Sequence, residues 1–365
     1  MQDRMTESTT SVPLLNETEE DRKEEVPSKR TLIHEIVKAA WPQALVVACR
    51  NIISLTDVGV LGWLGKDELA AVAFAQIVLN LSGVVLWAGA GDALIALTAQ
   101  AIGAKNPKMA GIWLQTSLFA ITLFALPIGV FWWFTGDFLR LLGSAGPDER
   151  VANLSAKFAR YSLIWLIPSA LNSAFAQWLN GQRLVKPTIP LNIFFVAYNA
   201  AANIVLVHGI PGWFDGLGFI GSPLATASTK IIRGVAIFVY IVYIRGLHKK
   251  CWHPWTWEAL SRERLSRFFA QSIPSALIGV VEQAQFVVIT LFVASLGTSE
   301  LDAHTGMLNV FMFVTCGMYG LTDAGASTIG GHLGANRPEV AKKAAKALIY
   351  CMMSVGIVIA IFFAA

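Results

Sequence analysis

Long apolar stretches constrain this chain more than any other feature. Nine of them fill most of the sequence after residue 33, at roughly 34–63, 69–99, 109–135, 155–179, 187–209, 219–245, 267–296, 301–333 and 341–363. A membrane-crossing helix needs about 20 mostly apolar residues, and each stretch is long enough. Hydrophobic residues make up 55% of the chain and charged residues only 14%. Soluble domains are usually about a quarter charged. A chain this poor in charge cannot cover itself with polar surface, so its excess apolar surface must face lipid. The expected fold is therefore an all-α polytopic membrane protein with about nine transmembrane helices. Pro42, Pro168, Pro190 and Pro274 fall within or near the spans. Membrane helices tolerate such breaks when neighbours satisfy the freed backbone groups.

The joins are short and polar, as in Gly65-Lys66-Asp67, Gly103-Ala104-Lys105-Asn106-Pro107 and the segment 143–150. Lys and Arg divide unevenly between the two sets of joins. One set holds Lys105, Lys108, Arg183, Lys186, Arg245, Lys249, Lys250, Arg262, Arg264, Arg267, Arg337, Lys342 and Lys343. The other holds Lys66, Arg140 and Arg150. Cytosolic loops carry the basic excess, so the first set is expected inside, with the N-terminus inside as well. Residues 1–33 read as a polar, disordered cytosolic tail with no apolar stretch for a signal peptide. Residues 246–266, with Trp252, Trp255 and Trp257, read as a cytosolic linker along the interface, where tryptophan concentrates.

The net charge of +4 includes no basic patch of the size nucleic acid requires. Cys49, Cys251, Cys316 and Cys351 are scattered, without metal-ligand spacing, and read as apolar fillers. His304 and His332 stand singly near span ends, and His208 reads as a solvated loop histidine. No phosphate-binding loop of the Gly-x-x-x-x-Gly-Lys-Ser/Thr type is present, nor a His-Glu-x-x-His or Gly-x-Ser-x-Gly motif. ATP hydrolysis and enzymatic chemistry are therefore unsupported, and no cofactor is expected.

An internal repeat organises the chain. Leu64-Gly65-Lys66-Asp67-Glu68-Leu69 resembles Leu296-Gly297-Thr298-Ser299-Glu300-Leu301, and Gly103-Ala104-Lys105-Asn106-Pro107 resembles Gly334-Ala335-Asn336-Arg337-Pro338. Asp92-Ala93 aligns with Asp323-Ala324, and Pro42 with Pro274, all at an offset of about 231–232 residues. The first copy covers six spans over 34–245. The second, over 267–365, covers three, and about three more would complete it. The chain reads as truncated at its C-terminus.

These residues resemble the multidrug and toxic compound extrusion (MATE) family over about 34–363. The similarity is carried by Thr56-Asp57-Val58-Gly59 with Leu64-Gly65 and Leu69-Ala70-Ala71, and by Gly91 to Lys105. Gln177-Trp178-Leu179-Asn180-Gly181-Gln182, Glu282 and Leu333-Gly334-Ala335-Asn336 complete it. The resemblance implies two six-helix bundles around a central cavity. It also implies alternating access, with export of small organic compounds in exchange for H⁺ or Na⁺ and no need of a partner subunit. The expected setting is the plasma membrane or an organelle membrane such as the vacuole's.

An ionisable side chain at the centre of a bilayer costs about 2.5–3.5 kcal/mol on insertion scales, so each is a functional candidate. Asp57 lies deep in the first span. Asn199 and Asn203 sit four apart in the fifth span, on one helix face. The three resemble the family's N-lobe cation site; the bland alternative is an Asp57–Arg50 pair. Glu282 resembles the family's seventh-span Glu, whose usual partners lie on a tenth helix beyond this sequence; it could equally fix packing. Asp92 and Asp323 are repeat-related, at positions where family members more often carry a small or neutral residue. They read either as an acidic pair near the cleft or as groups solvated through glycine-rich surroundings. Gln43 and Tyr198 are candidate cavity residues. The exporter's expected substrate is cationic or amphipathic. A lipid-linked oligosaccharide flippase of the same superfamily and an inactive truncated membrane protein are the alternatives.

Overall fold

The computed structural model describes residues 27–141, 147–252, 254, 257–294, 296 and 298–364. The tail up to Val26, part of the 143–150 join, and Trp255 of the linker lie outside the described residues.

Helix α1 (Lys29–Gly62) begins inside the stretch read as tail, because the Ser28 hydroxyl accepts from the Thr31 amide at 3.2 Å and caps it. Next come α2 (Lys66–Val84), a π-helical turn (Val85–Gly89) and α3 (Ala90–Gly103), which form one bent crossing. Asn106 caps α4 (Pro107–Trp133), and Pro107 takes the first turn, where an N–H is not needed. A short α5 (Thr135–Leu141) leads to α6 (Glu149–Gly181), capped by Asp148. A 3₁₀ turn at Lys186–Thr188 opens α7 (Ile189–His208). Gly209, at φ 81°, ends α7, and the tight loop after it leads to α8 (Gly221–Val239), extended by a π turn at Tyr240–Ile244. A short α9 (Leu247–Cys251) precedes α10 (Arg262–Ala294), α11 (Thr298–Val314), α12 (Cys316–Gly334) and α13 (Pro338–Ala364).

Seven of the described helical stretches are long and apolar enough to cross a membrane unaided. The other two expected spans are present but modified. Ser162, Ser169, Asn172, Ser173 and Gln177 dilute the apolar run of α6. The stretch read as one eighth span, 301–333, is two helices, α11 and α12, broken at Thr315. The Thr315 hydroxyl bonds the Phe311 carbonyl at 2.8 Å, and Gly317 lies two residues on. The first repeat deforms at the matching place, with its π turn at Val85–Gly89.

The two copies meet with approximate two-fold symmetry. A β-carbon on Gly89 would lie 2.8 Å from Ala276 Cβ and 3.1 Å from the Ser272 carbonyl of α10. A β-carbon on Gly320 of α12 would lie 2.6 Å from the Ala44 amide and 2.7 Å from the Ala40 carbonyl of α1. These four contacts interchange under the repeat offset, as an isologous interface requires. Gly103 abuts Gly331, and Gly334 abuts Gln100, by the same exchange. Small residues allow this approach where helix association depends on packing.

The larger core lies among α2, α3, α4, α6 and α8. Trp132 donates to Ser82 Oγ at 2.8 Å and Trp178 to the Ala110 carbonyl at 2.9 Å, so both indoles are buried and satisfied. The linker packs more closely than a surface strap. Thr116 of α4 donates to the Ala259 carbonyl at 2.8 Å, Gly111 abuts the Cys251 carbonyl, and Cys251 and Phe268 are buried. Trp257 stays exposed. Exposed Leu126, Val235, Val288 and Ile361 belong to the apolar surface that meets lipid.

Candidate functional site

Three elements converge on Asp57. The carboxylate is 6% exposed, and both its oxygens are held. Asn203 Nδ2 of α7 donates to Oδ1 at 2.8 Å, and Thr226 Oγ1 of α8 donates to Oδ2 at 2.7 Å. Asn203 Nδ2 also reaches Asn199 Oδ1 at 3.2 Å. Asn199 Nδ2 lies 3.2 Å from Thr229 Oγ1 and 3.5 Å from Thr226 Oγ1. Asn199 and Asn203 are fully buried one turn apart, and Thr226 and Thr229 are neighbours on α8. The result is a ring of amide and hydroxyl groups around one carboxylate, inside a membrane bundle.

The structure thus joins Asp57, Asn199 and Asn203 directly. Among the described residues no ion pair within 4 Å joins Asp57 to Arg50, so the bland reading of Asp57 is not what the geometry shows. The reading from sequence missed Thr226 and Thr229. They were legible as the start of a polar stripe, Thr226–Thr229–Lys230–Arg233, on an otherwise apolar helix.

A second cluster lies where α3, α10 and α12 meet. The Tyr319 hydroxyl of α12 donates to Glu282 Oε1 of α10. Asp323, one turn after Tyr319, lies 3.4 Å from Asn180 Nδ2 of α6, which also donates to Gln177 Oε1 at 2.5 Å. Asp323 and Glu282 are the charges whose fields reach Asp92, and the field of Arg50 reaches Asp323. Asp92 lies on α3, which packs against both α10 and α12, the helices of Glu282 and Asp323. Tyr319 was not among the candidates named from sequence, yet its hydroxyl turns to Glu282. Its spacing of four from Asp323 was the available signal. Under the repeat offset Arg50 occupies the position of Glu282, so the two copies differ there in sign of charge.

Gln43 is 3% exposed, and its Oε1 has no hydrogen-bond partner among the described residues. It lies on the α1 face that carries Arg50 and Asp57 at spacings of seven. Tyr198 sits elsewhere than at the Asp57 ring. It packs with Phe194 and Phe195, and its hydroxyl is 3.4 Å from Ser228 Oγ.

The end of the bundle that carries the basic loops is closed. Arg183 pairs with Glu35 at 2.5 Å, beside the Gly103–Gly331 and Gly334–Gln100 contacts. A cavity of about 280 Å³ lies there, lined by Glu35, Gln182, Arg183 and His332 among others. Farther along α1, Asn51 Nδ2 meets the Met312 carbonyl at 3.1 Å and Cys316 Sγ at 3.3 Å, at the α11–α12 break.

The MatE family model matches residues 42–205 and 274–365, more than half of the chain. Protein DETOXIFICATION 16 of Arabidopsis thaliana is 28% identical over 347 residues, covering 92% of this chain and 68% of its own length. Multidrug and toxin extrusion protein 1 of Homo sapiens is 29% identical over 314 residues, covering 86% of this chain and 53% of its own length. This chain therefore spans about half the length of the vertebrate relatives it matches. The crystal structure of a eukaryotic MATE transporter superposes with a TM-score of 0.75 at 22% identity, covering 88% of this chain and 69% of that one. An outward-facing MATE family transporter gives 0.75 at 19% identity, covering 93% and 74%. With the family model matched over more than half of its residues, this chain belongs to the MatE (multidrug and toxic compound extrusion) family.

Proposed function

We propose that the chain is the ion-coupling portion of a secondary exporter of small organic, cationic or amphipathic compounds, driven by entry of H⁺ or Na⁺ rather than by ATP. One observation carries the reading most directly: Asp57 is buried with both oxygens bonded to groups on two other helices. An ionised carboxylate only accepts hydrogen bonds, whereas a protonated one also donates. Loading a proton on Asp57 obliges Asn203 or Thr226 to rearrange. A Na⁺ ion would instead draw the same amide and hydroxyl oxygens toward itself. Either event acts on the packing of α1 against α7 and α8. An ion shifts such an equilibrium by its difference in affinity for the two states. The Glu282–Tyr319 pair is a second place where a proton or a cationic group would change the contact between α10 and α12.

The positive-inside rule puts the basic loops in the cytosol, in the plasma membrane or an organelle membrane. The closed end is then the cytosolic gate, and the conformation faces outward. The names of the relatives, multidrug and toxin extrusion proteins among them, favour an exporter over a lipid-linked oligosaccharide flippase. The fold needs no second subunit, and we read it as a monomer.

The test is ethidium efflux from vesicles containing the chain, with a proton gradient, with a sodium gradient, and with neither. Efflux that follows one gradient and ignores ATP supports the reading. Efflux that is equal in all three conditions contradicts it.

A further inference from the structure

The first turns of α1 carry basic residues along one face. Arg30, His34 and Lys38 recur every four residues, Trp41 follows three later, and all four are exposed. Glu35 is the one acid within residues 29–41; it sits off that line and pairs with Arg183. Lys186, in the turn that opens α7, brings its ammonium 5.7 Å from the centre of the Trp41 ring. Among the described residues neither Lys38 nor Lys186 has a carboxylate within 4 Å. Two exposed lysines, one from each of two elements, therefore flank one exposed indole.

The depth of this cluster follows from helix length. Trp41 is 51% exposed, and Trp63, just past the other end of α1, is 75% exposed. They stand 22 residues apart, about 33 Å of helix, close to the thickness of a bilayer's hydrocarbon core. Tryptophan concentrates at the two membrane–water interfaces, and this pair fits one at each. Trp41 then lies at the interface on the side of the basic loops, and Lys38, His34 and Arg30 step away from it toward water. Toward the bilayer centre the surface turns apolar. The next exposed residue along α1 is Leu45, and α7 exposes Ile193 and Phe194. Bases at headgroup level beside an apolar surface match the two halves of a phospholipid.

We infer that Lys38, Trp41 and Lys186 hold the headgroup of an acidic phospholipid, whose acyl chains lie along the apolar surfaces of α1 and α7. Basic residues beside a membrane span attract acidic lipids over the short range of surface charge. The indole covers one side of the Lys186 ammonium, and donors remain for a phosphate. A phosphatidylcholine headgroup has no net charge, so the net negative charge of the lipid is what the lysines select. The placement gives such a lipid a mechanical consequence. Asn203 ties α7 to α1 at Asp57, well inside the bundle. A headgroup held by Lys38 and Lys186 would bridge the same two helices at their other end, whatever compound the chain exports.

Native mass spectrometry of the full chain in detergent micelles, titrated with phosphatidylserine or phosphatidylcholine, counts the lipids retained. Phosphatidylserine is expected to be retained at lower concentration than phosphatidylcholine. Its affinity should fall about fivefold in Lys38→Gln and again in Lys186→Gln, the loss expected for one basic residue at a membrane surface. Lys186→Arg keeps the charge and should bind as wild type does, which separates a lost site from a misfolded protein. Lys66→Gln removes an exposed charge at the opposite end and should leave the affinity unchanged. Equal retention of the two lipids would overturn the site, as would equal weakening by Lys66→Gln. Displacement of the bound lipid by the same concentration of glycerophosphoserine would also overturn it and would assign the lysines to a water-soluble phosphate compound.

Discussion

Asn203 donates to Asp57 at 2.8 Å across 146 positions of sequence. The bond ties α7 to α1 at a carboxylate that is buried and has both oxygens bonded. Asn203→Ala leaves Asp57 Oδ1 without its donor. Stranding a buried acceptor costs about 1–3 kcal/mol. A lower midpoint of thermal unfolding in detergent is expected for Asn203→Ala, with Asn203→Asp more severe because it buries a second carboxylate beside the first. An unchanged midpoint in both would show that the bond does not hold the helices.

Glu282 and Tyr319 couple α10 to α12 in the same manner. Tyr319→Phe removes the donor and keeps the ring. Glu282→Gln removes the charge and keeps the shape. Residues in direct contact show interaction energies of about 0.5–3 kcal/mol in double-mutant cycles. The double variant should therefore be less impaired in gradient-driven efflux than the product of the two single effects. Simple multiplication of the effects would mean that the two groups act separately.

The close approaches at Gly89 and Gly320 interchange under the repeat, so their substitutions should too. Gly89→Leu meets Ala276 and the Ser272 carbonyl, and Gly320→Leu meets Ala44 and the Ala40 carbonyl. Both should lower thermal stability and efflux to a similar degree, since overpacking costs about 1–3 kcal/mol. Gly306→Leu, where a β-carbon meets nothing, should be tolerated. Tolerance of leucine at either interface glycine would contradict the packing of the two copies.

Cys251 tests the placement of the linker. It is 3% exposed, and burial pushes its thiol up from the ordinary cysteine value, with nearby Lys250 opposing in part. A raised thiol carries less thiolate at neutral pH, so it reacts slowly. Maleimide should label Cys251 slowly at pH 7 and faster as pH rises. Trp257→Cys, at an exposed position, should label readily in a Cys251→Ala background. Fast labelling of Cys251 at neutral pH would show that the linker does not pack on α4.

The fold was largely legible from the sequence because lipid enforces a simple rule: every span must be apolar and helical. The helix positions followed from it, while the grouping of Asp57 with Asn199 and Asn203 came from the resemblance to the family. The α11–α12 break was not legible, since threonine and glycine recur throughout the spans and Thr315 and Gly317 do not stand out among them. Thr226 and Thr229 were missed because a hydroxyl in a membrane helix usually bonds its own backbone, as Thr229 does with the Ala225 carbonyl at 2.8 Å. Only the three-dimensional meeting of α1 and α8 shows that Thr226 turns to Asp57 instead. Lys230 escaped notice for a related reason. Its neighbours Thr226, Ser228 and Thr229 dilute the apolar run around it, and the structure places its ammonium over Trp165.

Asp57 is proposed to couple ion entry to export. Efflux of ethidium from vesicles under the gradient that drives it should be compared in wild type and Asp57→Asn, which keeps the shape and removes the titratable charge. Asp57→Asn is expected to insert but to show the same slow efflux with and without the gradient. Efflux from Asp57→Asn that still accelerates with the gradient, as in wild type, would contradict it.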